Sequence, residues 1–139
     1  MCSRVVATAA PGEKVRIAAR RMAVNDVGTL VVVEGNAYNE AVGIVTDRDI
    51  AMRCVAGNLD PDTAPLSQVM TQPVATIDES MGVDAALAKM AANGTRRLIV
   101  TGNGHLVGIL SLDDVLELLV SQVAAIGELL QQQQPRIPA

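Results

Sequence analysis

The chain repeats itself, and each copy closes on the same short phrase. Gly43-Ile44-Val45-Thr46-Asp47-Arg48-Asp49 recurs as Gly108-Ile109-Leu110-Ser111-Leu112-Asp113-Asp114. Both read as glycine, two apolar residues, a hydroxyl residue, two variable residues and an aspartate. Upstream the copies align at an offset of 68, with Val15 on Val83, Met22 on Met90, Asn25 on Asn93 and Leu30 on Leu98. Downstream the offset is 65, because the first copy has three extra residues in the polar turn around Asn36 to Asn39. A length difference confined to one turn is what two copies of one structural unit would show. A repeat of this period constrains the fold more than any single motif.

Each copy predicts the same elements. A short extended segment (Val5 to Thr8; Val74 to Ile77) precedes an amphipathic helix. Apolar residues fall at helical spacing: Val15, Ala18, Ala19 and Met22 in one copy, Val83, Ala86, Leu87 and Met90 in the other. Asn25-Asp26 and Asn93-Gly94 mark helix ends. Two apolar runs joined by a Gly/Asn turn then predict a hairpin (Leu30 to Val33 with Ala41 to Val45; Leu98 to Thr101 with Leu106 to Leu110). Thr46 and Ser111 open a second helix. The expected fold is α+β: two pseudo-symmetric β-α-β-β-α units packed sheet to sheet. One copy alone would be marginal, whereas two can share a core. The expected division is a first unit at 1–57, a linker at 58–68, a second unit at 69–121 and a helix extension with a frayed tail at 122–139.

Composition narrows the function. The net charge is −4, with no Trp, no Phe and only Tyr38. That argues against nucleic acid, whose single-stranded binders use basic grooves and aromatic platforms. No stretch is long and uncharged enough to span a membrane. Arg4, Glu13, Lys14 and Arg16 interrupt the opening residues, so a secretory signal is not expected. Cys2 and Cys54 suit a reducing compartment, and a cytoplasmic protein is expected. One histidine, His105, in a Gly/Asn turn, and two scattered cysteines make a metal site unexpected. Neither a nucleophile elbow nor a phosphate-binding Walker loop occurs, and no catalytic residue is assigned.

The closing phrase has two readings. One is a helix capping box, in which the hydroxyl caps the helix and the acid three residues on completes the box. The other is a ligand site. An aspartate at a helix N-terminus would repel phosphate but accept hydrogen bonds from paired neutral hydroxyls such as those of a ribose. The preceding glycine and apolar pair would leave a greasy wall for a flat base. Arg96-Arg97, matched in the first copy by the uncharged Gly28-Thr29, could serve a phosphate; alternatively they are ordinary surface charge. Asp49 or Asp114 acting as a catalytic base is a weaker reading, because no nucleophile, metal cluster or histidine accompanies either acid.

With both copies and their closing phrases in view, the chain resembles the cystathionine-β-synthase (CBS) domain family, as a stand-alone tandem pair of the Bateman type. The resemblance runs over about residues 5 to 56 and 69 to 120 and rests on both Gly-h-h-Thr/Ser-x-x-Asp endings and on Thr46-Asp47-Arg48-Asp49-Ile50. It implies clefts between the units that bind an adenosine compound: AMP, ADP, ATP, NAD or S-adenosylmethionine. Carried onto this chain, one cleft would use Ile109, Ser111 and Asp114, with Ala7, Val27 and Gly28 opposite and Arg97 near phosphate. The other would use Ile44, Thr46 and Asp49, with Ala75, Thr95 and Arg96 opposite. Cys2 stands where the second copy has Met70, so the leader before the first strand is expected to be short. The resemblance further implies a regulatory module without catalysis, acting on a target protein, and a homodimer. The competing reading is an interaction module whose clefts are vestigial. Leu112, Leu116, Leu119, Val123, Ile126 and Leu130 form a coiled-coil-like seam on the last helix, expected at or beside the dimer interface.

Overall fold

The computed structural model describes residues 7–35 and 40–133. The expected strand start at Val5, the insertion at Asn36 to Asn39 and the tail from residue 134 lie outside them. The first unit runs β1 (Thr8–Ala9), α1 (Val15–Asn25), β2 (Thr29–Glu34), β3 (Glu40–Thr46) and α2, a turn at Asp47–Asp49 that continues as a π-helix over Ile50–Val55. The second runs β4 (Thr76–Asp78), α3 (Val83–Asn93), β5 (Arg97–Gly102), β6 (His105–Ser111) and α4 (Leu112–Gln132). Within the span expected to hold a helix extension and a frayed tail, α4 continues through Gln131 and Gln132. Each unit holds a three-stranded sheet with the first strand parallel to the second and the second antiparallel to the third.

The repeat extends to backbone detail. α1 and α3 each end on a left-handed residue at matched positions, Asp26 (φ 52°) and Gly94 (φ 60°). Both hairpins shift register at the matched steps Val32/Val33 and Val100/Thr101. Glycine takes that backbone conformation without a Cβ clash, whereas aspartate tolerates it at a cost.

Alternation along β2 and β5 sends successive side chains to opposite sheet faces. Leu30 and Val32 pack under α1 and α2 with Val15, Ala18, Met22 and Cys54. Leu98 and Val100 pack under α3 and α4 with Ala86, Met90 and Val115. Val31 and Ile99 are also buried, but on the faces away from the helices, where they pair across their hairpins with Ile44 and Ile109. β3 and β6 touch, so the two sheets meet along these third strands.

The segment between the units is part of the first core. Ala64, Leu66 and Val69 are buried there, the last two completely. The backbone fixes the segment in place: Val15 donates to the Ala64 carbonyl (3.0 Å) and Leu66 donates to that of Glu13 (2.8 Å). Arg16 and Asp62 form an ion pair beside it. Further on, Thr71 pairs with Ile44 through two backbone hydrogen bonds of 2.8 and 3.1 Å, extending the edge of the first sheet. Arg53 reaches over the junction and donates to the Val69 carbonyl (3.0 Å) and to Thr71 Oγ1 (3.2 Å).

Candidate functional site: clefts at the junction of the two units

Both closing phrases form capping boxes. The Asp49 amide donates to Thr46 Oγ1 (3.1 Å) and the Thr46 amide donates to Asp49 Oδ2 (2.9 Å). The Ser111–Asp114 pair repeats this at 3.1 and 3.2 Å. In each box one carboxylate oxygen, Oδ2, faces the backbone. Oδ1 takes no part in the box, so the aspartate can hold its helix end with one oxygen and keep the other as an acceptor. The two Oδ1 atoms differ in their surroundings. Asp49 Oδ1 lies 3.9 Å from Arg53 Nη2. Among the described residues Asp114 has no ion-pair partner.

A cavity of about 330 Å³ opens at the junction. Ile44 forms its first-unit wall; Val74 and Ala75 form the wall before β4; Asn93, Gly94 and Thr95 supply backbone from the end of α3; and Arg97 and Ile99 project from β5. The left-handed turn at Gly94 and the pairing of Thr71 on Ile44 bring these elements together. The cavity therefore gathers three of the residues expected around one cleft, Ile44, Ala75 and Thr95. Thr46 and Asp49 lie farther along β3 and α2 and do not line it. Its arginine is Arg97, where Arg96 was expected. Alternation along β5 explains this, since Arg97 shares the face of Ile99.

A second, polar cavity of about 240 Å³ is lined by Arg96, Arg97, Ser111, Leu112 and Asp113. Arg97 and Ser111 are register partners on β5 and β6, and Leu112 donates to the Arg96 carbonyl (2.8 Å), so the elements are tightly joined. Arg97 thus borders both cavities. Neither Arg96 nor Arg97 makes a side-chain hydrogen bond or ion pair among the described residues.

Ala7, Val27 and Gly28 are the residues expected opposite Ser111. The Ala7 carbonyl accepts from Val31 (3.0 Å), and Gly28 packs against the Asp47 carboxylate. Val27 lines a separate cavity of about 310 Å³ on the helix side, with Ala19, Met22 and Asp47. Ile109 faces its register partner Ile99. Sequence reading missed Thr71, Asn93 and Gly94 as lining residues and Arg53 as the junction clamp. The αL signal of Asn93-Gly94 was visible in the sequence, but the pairing of Thr71 was not. Among the described residues no group of three His, Cys, Asp or Glu is placed to hold a metal, and no helix is long and apolar enough to cross a membrane.

The CBS domain family matches residues 1–55 and 66–121, two copies that take in most of the chain. The chain belongs to the CBS domain family. A protein of Methanopyrus kandleri is 37% identical over 126 residues, which take in 90% of this chain and 63% of that protein. A solved CBS domain protein of Burkholderia ambifaria superposes with a TM-score of 0.73 at 27% identity, over 97% of this chain and 90% of that one. A CBS domain protein of Pyrobaculum aerophilum, solved in complex with AMP, superposes with a TM-score of 0.68 at 32% identity, over 81% and 84%. The tandem repeat and the α+β units with two three-stranded sheets are those of this family.

Proposed function

We propose that this chain is a cytoplasmic regulatory module that binds an adenosine compound and has no catalysis of its own. The observation that carries this reading is the 330 Å³ cavity at the junction, with an apolar wall from Ile44, Ala75 and Ile99 and the Arg97 guanidinium, which has no ion-pair partner among the described residues. Its size lies at the small end of the range for small-molecule sites, which are mostly apolar with a few polar groups that fix orientation. A purine fits the wall by its flat face, backbone from Asn93 to Thr95 offers groups for its edge, and Arg97 suits a phosphate. The Pyrobaculum relative solved with AMP supports the ligand class, AMP, ADP, ATP, NAD or S-adenosylmethionine. Asp49 and Asp114, each with one oxygen outside its capping box, are the groups assigned to ribose hydroxyls, beside Thr46 and Ser111.

Because the cavity lies between Ile44 of one unit and β5 of the other, its occupant bridges both units. Ligand binding then stiffens the junction that Thr71 and Arg53 hold, and a target protein reads the change. The module is further proposed to be a homodimer with α4 at its interface. From Val120 to Gln132 every α4 residue is exposed, Val120 and Val123 each by 68%. The competing reading, an interaction module with vestigial clefts, draws on the capping boxes, which account for both closing phrases without a ligand.

Thermal unfolding against a panel of adenosine, AMP, ADP, ATP, NAD and S-adenosylmethionine separates the two. A ligand at 100 times its dissociation constant stabilises by about 2.7 kcal/mol. For a domain of this size that raises the melting temperature by roughly 10 °C. A flat response across the panel at millimolar concentration would favour the interaction module.

A further inference from the structure

The second unit is an internal control for the cavity on the helix side of the first. That cavity, about 310 Å³, is walled by Ala19, Met22, Ala23, Val27 and Ile50, and Asp26 and Asp47 complete its lining. At the matched positions the second unit carries Leu87 for Ala19, Leu112 for Asp47 and Gly94 for Asp26. Leu87 and Leu112 pack against the second core. The first unit thus has a methyl group and a carboxylate where its twin has two packed leucines. The third exchange works against the fold. Asp26 holds a left-handed backbone position (φ 52°) that glycine holds in the other copy. It also sets a negative charge at the C-terminal end of α1, where the helix dipole favours a cation. No basic residue stands in the last turn of α1 to offset it.

Local bonds fix both acids beside the end of α1. The Val27 amide donates to the Met22 carbonyl (3.0 Å), which closes the helix around Asp26. The Asp47 amide donates to the Gly28 carbonyl (3.0 Å), which ties the start of α2 to the same place. Asp47 Oδ1 accepts from the Arg48 amide (2.8 Å), and Oδ2 stays outside that bond. Among the described residues neither Asp26 nor Asp47 has an ion-pair partner. We propose that this cavity is a second ligand site, for a small primary aliphatic amine. The alkyl body lies against Ala19, Met22, Val27 and Ile50. The ammonium, with three N–H donors, is shared by the carboxylates of Asp26 and Asp47. The negative end of the α1 dipole adds to their field. None of these residues lines the junction cavity, and a phosphate is repelled here, so the two cavities take ligands of opposite charge. The volume is that of a small-molecule site, whereas a protein partner needs a far larger buried area.

Pentylamine titrated into the full chain, followed by methyl NMR shifts, tests the site. Pentanol is the control for the alkyl body and pentanoate the control for the sign of the charge. The expected result is saturable shifts confined to Ala19, Met22, Ala23, Val27 and Ile50. Pentanol should bind at least about tenfold more weakly, as should pentylamine to a variant carrying Asp26→Asn with Asp47→Asn, the effect of losing a charge-assisted contact. Asparagine tolerates the left-handed position at 26 and keeps an oxygen for the Arg48 amide at 47, so that variant keeps the fold, as circular dichroism checks. Ala19→Leu, which installs the residue of the second unit, should abolish binding without lowering the melting temperature. Shifts scattered over the acidic surface, none at tens of millimolar amine, equal affinity for pentanol, or binding that survives Ala19→Leu would overturn the amine site. Tighter binding of Nα-acetyl-lysine N-methylamide than of pentylamine would overturn the small-molecule reading and make the cavity a seat for a lysine of another protein.

Discussion

Leu66 tests whether the segment between the units is a tether or a piece of the core. It precedes the second copy in sequence, yet it is completely buried beside Val15 and Val69 in the first unit. Leu66→Ala removes three carbons from that site. At about 0.8 kcal/mol per buried methylene the transfer loss alone is about 2.4 kcal/mol. A cavity term adds to it, because Glu13, Pro11 and Val15 hold the backbone around Leu66 by hydrogen bonds that keep the site from collapsing. The expected cost is therefore about 3–4 kcal/mol, within the range for buried Leu→Ala changes. Urea unfolding followed by far-ultraviolet circular dichroism measures it, since the chain has one Tyr and no Trp to report by fluorescence. Leu129→Ala, at a residue 52% exposed near the end of α4, is the matched control and should cost well under 1 kcal/mol in the monomer. A Leu66→Ala cost below 1 kcal/mol would refute the reasoning and make the segment a simple connector.

Three further outcomes are expected. Asp114→Ala should cost about 0.3–1 kcal/mol of stability through its lost charge in the first turn of α4, and should weaken nucleotide binding by about 1.5–3 kcal/mol; calorimetry showing unchanged affinity beside a lower melting temperature would remove Asp114 from the ribose role. Asp26→Gly should stabilise by about 0.5–1 kcal/mol, because Asp26 holds the left-handed position that Gly94 fills in the second unit; a lower melting temperature would contradict this. Asp78 titrates below the ordinary aspartate range because the Ser80 hydroxyl and amide both donate to it. Its stabilising contribution is thus present above its unfolded pKa and is lost as pH falls through the lower folded value. Ser80→Ala should move the Asp78 carboxyl midpoint in an NMR titration upward, toward the unfolded value, and an unmoved midpoint would remove Ser80 as the cause.

Much of the fold was legible because the repeat states each element twice. Helix ends at Asn25 and Asn93, hairpins after them and helix starts at Thr46 and Ser111 all follow from local chemistry: apolar spacing, turn residues and a hydroxyl three residues before an acid. What escaped was non-local. Nothing periodic surrounds Leu66 and Val69, and the prolines and aspartates before them read as linker, so their place in the first core was visible only in three dimensions. The bridge between Ile44 and Thr71 depends on how one unit meets the other, and with it the lining of the junction cavity. Arg96 and Arg97 were singled out as a pair, but strand alternation decides which of them faces the Ile44 cavity. The π-helix at Ile50–Val55 has no counterpart in α4, although both begin with the same capping box. No feature of the sequence marks that difference.

Isothermal titration of AMP and of adenosine, each into the unmodified chain and into Arg97→Ala, tests the central claim most directly. Arg97 is exposed, so the substitution leaves the fold intact and isolates its anion contact. The account predicts saturable binding of AMP to the unmodified chain, weaker binding of adenosine, and loss of that preference in Arg97→Ala. A charge-assisted contact to phosphate corresponds to roughly 1.5–3 kcal/mol, or about 10- to 150-fold in affinity. No heat from either ligand at several hundred micromolar, or equal AMP affinity with and without the arginine, would contradict it.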